Sequence, residues 1–155
     1  MLPKTHIIFG FIFSLILLLV FPEIGFLGFA IIWTSSVLID VDHYLFYVWI
    51  KKDWNLRNAF YWFYKKSLII KKMPRSERKY INPIVCFLHG LEALFILALL
   101  AYFIHPIFLF VLIGFAFHEL LDVIKLVYEG YSLRHVSSQI LNLIDFEKRG
   151  NKFVN

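Results

Sequence analysis

The chain has 155 residues, of which 60% are hydrophobic and 19% aromatic, and its mean hydropathy is +0.71. Soluble domains of this length are closer to half apolar, so the composition argues against a secreted domain, a disordered chain and a conventional cytosolic enzyme. The single cysteine, Cys86, excludes an internal disulfide and a cysteine-rich zinc module. The net charge is +5, but residues 51–79 hold ten of the sixteen lysines and arginines, so the basic charge belongs to one segment.

Four apolar stretches follow one another along the chain, and each approaches the roughly 20 residues that a membrane-spanning helix needs. We expect spans at about 5–22, 24–42, 83–104 and 106–128. Pro22-Glu23 leaves room only for a tight helical hairpin, and Pro106 suits the first turn of the fourth helix. The sequence therefore predicts an all-α integral membrane four-helix bundle, a single domain over 1–155, whose first span is retained and not cleaved as a signal peptide.

The segment 44–80, between the second and third spans, combines many lysines and arginines with tryptophan, tyrosine and phenylalanine. Basic residues in short connections favour the cytoplasmic side, so we expect a protein of the inner cell membrane with both termini in the cytoplasm. This composition is typical of a helix at the membrane interface, which would anchor the protein or hold an anionic headgroup. Single-stranded nucleic acid binds similar sequences, but attachment to spans on both sides disfavours that partner. The tail, 131–155, is expected to carry a short surface helix around 136–146.

Ionisable side chains lie within the predicted spans, where each costs at least about 2.5–3.5 kcal/mol on insertion scales. They are concentrated at the end of each span that would face the cytoplasm, and only Glu23 and His105 lie near the outer turns. We expect the helices to bring these imidazoles and carboxylates into one site. The candidate metal ligands are His6, Asp40, Asp42, His43, His89, His118 and Asp122.

The residue types and spacings favour a divalent metal ion. His118 and Asp122, at i and i+4, share a helix face, and His89 and Glu92, at i and i+3, are predicted to share another. No lysine or arginine before Lys125 is available within the spans to neutralise the carboxylates, whereas a divalent cation would do so. Imidazole and carboxylate donors suit zinc first, with manganese or iron as alternatives. The donors exceed one tetrahedral shell, which leaves open one ion with supporting residues or two ions.

Several functions fit such a centre. In a hydrolase, Glu92 or Glu119 would act as general base, with Glu92 preferred because it is predicted to share a face with His89. The run His118-Glu119-x-x-Asp122 is similar to the HExxH motif of metalloproteases, with aspartate replacing the second histidine. A proton-relay transporter would need polar groups through the whole membrane. A non-catalytic, metal-stabilised scaffold or a regulator-binding protein is the alternative from another class.

Over about residues 1–128 the chain resembles the YdjM-like (DUF457) family of inner-membrane proteins, which are described as metal-dependent hydrolases. The resemblance rests on Thr5-His6 with Gly10, Asp40-Val-Asp42-His43, His89 and His118-x-x-x-Asp122. The order of these residues is also similar to a reduced zinc-dependent phospholipase C. The resemblance implies hydrolysis of a lipid-borne ester or phosphoester at the cytoplasmic face. Because the family arginine is missing here, Arg75, Arg78 or Lys79 would contact the substrate headgroup.

Overall fold

The computed structural model describes residues 3–81 and 84–149, and these form helices and turns without a strand. The all-α class predicted from the sequence is therefore confirmed for this part of the chain. Single 3-10 turns occur at Pro22–Ile24, Arg78–Tyr80 and Leu133–Val136. The α-helices are α1 (Pro3–Val20), α2 (Gly25–Leu38), α3 (Val41–Lys51), α4 (Leu56–Lys72), α5 (Leu91–Phe103), α6 (Ile107–Glu129) and α7 (Gln139–Arg149).

Two helical stretches in the described residues are long and apolar enough to cross a membrane, judged by length and composition. They are Pro22–Lys51, with 30 residues including α2 and α3, and Ile107–Glu129, with 23 residues. The other two apolar helices, Lys4–Val20 and Leu91–Phe103, are shorter. Helices α1, α2 and α5 are apolar on all sides instead of along one stripe, as their exposed leucines, isoleucines and phenylalanines show.

Small residues allow the apolar helices to approach closely. Helix α2 packs against both α1 and α6, and α6 also packs against α5. A Cβ added at Gly114 of α6 would stand 2.5 Å from the carbonyl oxygen of Ile32 in α2, and one at Gly10 of α1 would overlap Ser36. Gly10 lies one turn after His6, and Gly114 lies one turn before His118. The close contacts therefore set the spacing of the helices next to the predicted site.

The segment 44–80, the predicted basic connection with the composition of an interfacial helix, is largely helical. After a turn at 39–40, α3 continues to Lys51 and ends at Lys52, which adopts the left-handed conformation with φ 54°. Asn55 caps α4 by accepting hydrogen bonds from the Arg57 and Asn58 backbone amides. Tyr47 and Ala59 are buried where α3 and α4 pack together, so α4 lies against the helix that follows the Asp40 turn.

The predicted continuous helix over 83–104 is wrong at its beginning. Within the described residues, 84–90 are not helical, and α5 begins at Leu91. Gly90 has φ +142°, and a Cβ at this position would stand 2.5 Å from the carbonyl oxygen of Ser137. The chain therefore turns at Gly90 beneath the C-terminal segment, and His89 lies on a loop. The surface helix expected around 136–146 is α7, at Gln139–Arg149, and residues 150–155 of the predicted tail lie outside the described part.

Candidate metal centre

All seven predicted ligands lie together, although they come from four separate parts of the chain. His6 is supplied by α1, and His118 and Asp122 by α6. Asp40, Asp42 and His43 lie at the junction of α2 and α3, and His89 is on the loop before α5. His6, Asp42, His89, His118 and Asp122 are buried, whereas the side chains of Asp40 and His43 are 19% and 24% exposed. The cluster therefore opens toward solvent on the side of Asp40 and His43.

Two histidines are oriented by hydrogen-bond acceptors at their Nδ1 atoms. His118 Nδ1 lies 2.8 Å from the carbonyl oxygen of Ser36, and His89 Nδ1 lies 3.0 Å from Asp42 Oδ2. A carbonyl and a carboxylate only accept hydrogen bonds, so each Nδ1 carries a proton and each Nε2 is directed into the cluster, where a neutral ring would present its lone pair. Asp42 Oδ2 also accepts a hydrogen bond from the Leu88 backbone amide at 2.9 Å. This arrangement of carbonyl or carboxylate behind imidazole is typical of metal-binding histidines.

The two lone pairs face each other, because His89 Nε2 and His118 Nε2 are 3.0 Å apart. With both Nδ1 atoms protonated, a further proton or a cation has to lie between these nitrogens to offset their repulsion. At zinc–nitrogen bond lengths of 2.0–2.1 Å, two ligand nitrogens lie about 2.8–3.4 Å apart for angles of about 90–110°. The observed separation therefore fits two ligands of one metal ion.

Carboxylates complete the set of donors around the same point. Asp40 Oδ1 lies 3.7 Å from both His89 Nε2 and His118 Nε2. Asp122 Oδ2 lies 3.6 Å from His118 Nε2 and 4.0 Å from His89 Nε2, and Asp122 Oδ1 lies 3.4 Å from His6 Nε2. Each of these distances is below about 4.2 Å, the largest separation of two oxygen or nitrogen ligands on one metal ion with bonds of ~2.1 Å. His6, His118 and Asp122 form one group that could hold a metal ion, and Asp40, His89 and His118 form another, so the two groups share His118.

Buried polar atoms of this cluster lack hydrogen-bond partners. The ring of His6 stacks on that of His118 with centroids 3.9 Å apart, and neither of its nitrogens has a hydrogen-bond partner. Asp40 Oδ2 is also buried without one. An unsatisfied buried donor or acceptor costs about 1–3 kcal/mol. A cation bound by His6 and Asp122 would supply a partner for His6 Nε2, the nitrogen that faces Asp122.

Cys86 is a candidate ligand that the sequence reasoning missed. It is fully buried and lies with Asp42, His43 and His89 in a group whose donor atoms, one from each residue, are all within 4.8 Å of one another. As the single cysteine of the sequence, Cys86 indicated only that an internal disulfide and a cysteine-rich zinc module are absent. Its position three residues before His89 is a signal that would have indicated this role.

The two glutamates proposed as general bases lie in different surroundings. Glu119 is buried, and its Oε1 accepts a hydrogen bond from the Gly90 backbone amide at 2.9 Å, while its Oε2 has no hydrogen-bond partner. Glu92 instead contacts Ser138 Oγ and accepts a hydrogen bond from the Gln139 amide at 3.1 Å, so it caps α7. The predicted shared helix face of His89 and Glu92 is therefore absent, because the helix begins after Gly90.

The three residues expected to contact a substrate headgroup are directed elsewhere. Arg75 donates to the carbonyl oxygen of Val127, and Arg78 donates to those of Lys71, Met73 and Glu129. Lys79 lies over the ring of its neighbour Tyr80, 5.0 Å from the centroid. The two arginines thus bind the carboxyl ends of α4 and α6. Val127 lies about 7.5 Å along the α6 axis from Asp122, at 1.5 Å per residue.

Comparison of the chain with models of known protein families, with curated proteins and with solved structures finds no match.

Proposed function

We propose that this chain is an integral membrane protein that binds a divalent cation and uses it to hydrolyse a lipid-borne ester or phosphoester at the cytoplasmic face. One observation carries the proposal. Imidazole and carboxylate donors from four separate parts of the chain lie in two groups that share His118, one with His6 and Asp122 and one with Asp40 and His89, and the ligand atoms within each group are within 4.8 Å of one another. The resemblance to the YdjM-like family agrees with this function and stays a prediction.

The apolar surface supports a membrane location. Leu19 of α1, Phe26 of α2 and Phe103 of α5 each expose 70% or more of their surface, which would be unfavourable in water over so large an area. In a four-span bundle, α1 and α5 begin on the side where α2 and α6 end. The metal ligands lie near those four ends, on the side of the basic α4 helix, and the excess of basic residues there supports a cytoplasmic location for this side.

Different residues would bind the metal ion, orient a ligand and accept a proton. His6, Asp40, His89, His118 and Asp122 would hold the ion, and Asp42 would keep His89 oriented. A bound divalent ion lowers the pKa of a coordinated water toward about 7 and polarises the scissile bond. Glu119 is fixed through Oε1 by the Gly90 amide, and its buried Oε2 would accept the proton released by the attacking water. We therefore prefer Glu119 to Glu92 as general base.

Helix α4 is suited to hold the headgroup, because it lies at the open side of the cluster. The edge of Phe63 in α4 faces the ring of His43, with centroids 6.0 Å apart. Lys66, one turn further along, lies over Trp62 at 4.2 Å from the ring centroid. Burial, with a smaller contribution from Lys51, lowers the pKa of Lys66 to about 8. A lysine beside the opening would pair with an anionic headgroup from the inner leaflet.

Metal analysis of the detergent-purified protein tests the binding step. We expect a stoichiometric divalent ion in the wild type, and its loss in His118→Ala and Asp40→Ala. His105→Ala is the matched control, because His105 lies in the turn before α6, where it accepts a hydrogen bond from the Ile107 amide. A wild type without stoichiometric metal, or equal metal content in all three variants, would remove the proposal.

Hydrolysis of phospholipids and generic phosphoesters by the metal-loaded protein tests the catalytic step. Glu119→Gln keeps an acceptor for the Gly90 amide, so we expect it to retain metal and to lose turnover. Glu92→Gln is the matched control and is expected to retain both. Turnover unchanged in Glu119→Gln would refute its role as general base.

A metal-stabilised scaffold is the second candidate, and the burial of the ligands favours it. His89 and His118 are fully buried, so a substrate reaches the ion only past Asp40 and His43. Stoichiometric metal, strong metal-dependent thermal stability and no turnover of lipid esters would support the scaffold over the hydrolase. The intramembrane metalloprotease is less favoured, and it would require His118→Ala to block cleavage of a membrane peptide.

A further inference from the structure

The thiol of Cys86 lies in a second group of metal-ligand types, next to the five donors described above. Asp42, His43, Cys86 and His89 each place one donor atom within 4.8 Å of those of the other three. His89 Nδ1 faces Asp42 Oδ2, and its Nε2 faces His118 Nε2 in the first centre, the site formed by His6, Asp40, His89, His118 and Asp122. Besides His89, the group contains the Asp42 carboxylate, the ring of His43 and the thiol of Cys86.

Hydrogen bonds to the loop fix the position of the thiol. The Cys86 backbone amide donates to Gln139 Oε1 at 3.1 Å, and the Leu88 amide donates to Asp42 Oδ2 at 2.9 Å. Gln139 is itself buried at the start of α7. The loop is thus held from both sides, by α7 and by the Asp42 carboxylate, and Cys86 faces the cluster with no exposure to solvent.

An independent observation points to a cation at this place. Asp42 is 96% buried, and its Oδ1 has no hydrogen-bond partner, although it lies 3.2 Å from His43 Nδ1. A buried carboxylate oxygen without a donor is costly, and a cation next to it offsets that cost. Asp40 Oδ1 is 3.6 Å from His43 Nδ1 and 3.7 Å from His118 Nε2, so its carboxylate lies between the two groups.

We propose that a second divalent cation binds to Asp42 Oδ1, His43 Nδ1 and Cys86 Sγ, with the Asp40 carboxylate bridging it to the first ion. This inference rests on the proposed function, since the first centre shares Asp40. Binding would deprotonate the thiol. It would also draw the donor atoms together, to at most about 4.3 Å from one another for metal–ligand bonds of 2.0–2.3 Å. A thiolate selects borderline or soft cations such as zinc, cobalt or cadmium over magnesium and manganese.

The exposure of their ligands predicts that the two ions exchange with a chelator at different rates. His43 and Asp40 are the partly exposed ligands, whereas His89 and His118 are fully buried. The second ion would therefore be the one nearer solvent. It would exchange with a chelator before the first ion does.

Cobalt loading of the full chain in detergent tests the proposal. We expect two equivalents of Co²⁺ and a near-ultraviolet thiolate-to-cobalt charge-transfer band in the wild type. Because the sequence contains one cysteine, any such band arises from Cys86, and the wild type alone decides whether the thiol is a ligand. Cys86→Ser and His43→Ala should each lose the band and one equivalent, and should retain the first ion.

The outcomes separate this inference from the proposed function. One equivalent of cobalt, or two equivalents without the charge-transfer band, refutes the proposed second ion at Cys86 and is compatible with the first centre. Failure to bind any cobalt refutes both the second ion and the first centre. A wild type with two equivalents and the band supports the proposal even if a variant fails to fold, since its assignment to Cys86 needs no variant.

Discussion

The contact between Gly114 and α2 offers a sharp test of how helix packing supports the metal centre. In Gly114→Ala the new Cβ would stand 2.5 Å from the carbonyl oxygen of Ile32, and ordinary contact begins at 3.4 Å. Helices α2 and α6 would therefore have to separate by about 0.9 Å. Such overpacking typically costs about 1–3 kcal/mol of stability.

The same displacement acts on the ligands one turn away. It would lengthen the hydrogen bond between His118 Nδ1 and the Ser36 carbonyl oxygen from 2.8 Å to as much as about 3.7 Å, beyond hydrogen-bonding distance. Asp40 and His118 would move from 3.7 Å to as much as about 4.6 Å apart, more than one coordination shell spans. Because loss of a supporting contact weakens metal binding by about 10–100-fold, we expect a decrease of that size.

Competition titration with a chelator measures the affinity, and thermal unfolding in detergent measures the stability. Gly28→Ala is the matched control in the same helix pair, because its Cβ would meet only side-chain atoms, the nearest in the Phe110 ring at 3.1 Å. Adding Ser35→Ala to Gly114→Ala should not restore binding, since the Ile32 carbonyl remains. Wild-type affinity and stability in Gly114→Ala would refute the reasoning.

Three further measurements test other parts of the molecule. Asp42→Asn removes the anionic acceptor that orients His89, so chelator competition should show an affinity for the first ion that is about 10–100-fold weaker. An unchanged affinity would contradict the proposal that Asp42 orients His89. Glu92→Gln weakens the cap of α7 and should lower the free energy of unfolding by about 0.5–2 kcal/mol, measured by thermal unfolding. Its metal content should stay constant, and a loss of metal would argue against a purely structural role of Glu92. Lys66 has a pKa of about 8, so cosedimentation with anionic vesicles should weaken as the pH rises from 7 to 9. Lys66→Arg, which stays charged, should remove that pH dependence, and an identical profile in both proteins would exclude Lys66 as the headgroup contact.

The residues of the candidate centre could be predicted because their setting in the sequence is unusual. Imidazoles and carboxylates such as His6, His118 and Asp122 are costly within apolar helices, and helical spacing predicts which of them share a face. The structure brings all seven predicted ligands together, in groups that could hold a metal ion. It also confirms the all-α class, and two of the four expected spans have the length and composition to cross a membrane.

Other features depend on contacts between residues far apart in the chain. The break before α5 depends on Ser137, which lies against Gly90 and is 47 positions further on in the sequence. The same contact moves Glu92 away from His89 and toward α7. Arg78 binds carbonyl oxygens at the carboxyl ends of α4 and α6, and no local pattern indicates those partners.

The sequence by itself determined that this chain is helical and which polar side chains belong to one site, because hydrophobicity, helical period and the cost of burying charge are properties of local sequence. Only the tertiary structure decided which atoms face one another: the two Nε2 lone pairs at 3.0 Å, the carboxylate of Asp40 between two groups, and the thiol of Cys86 beside Asp42 and His43. Those positions depend on how closely α1, α2 and α6 approach and where the 84–90 loop is held, and both are set by long-range packing.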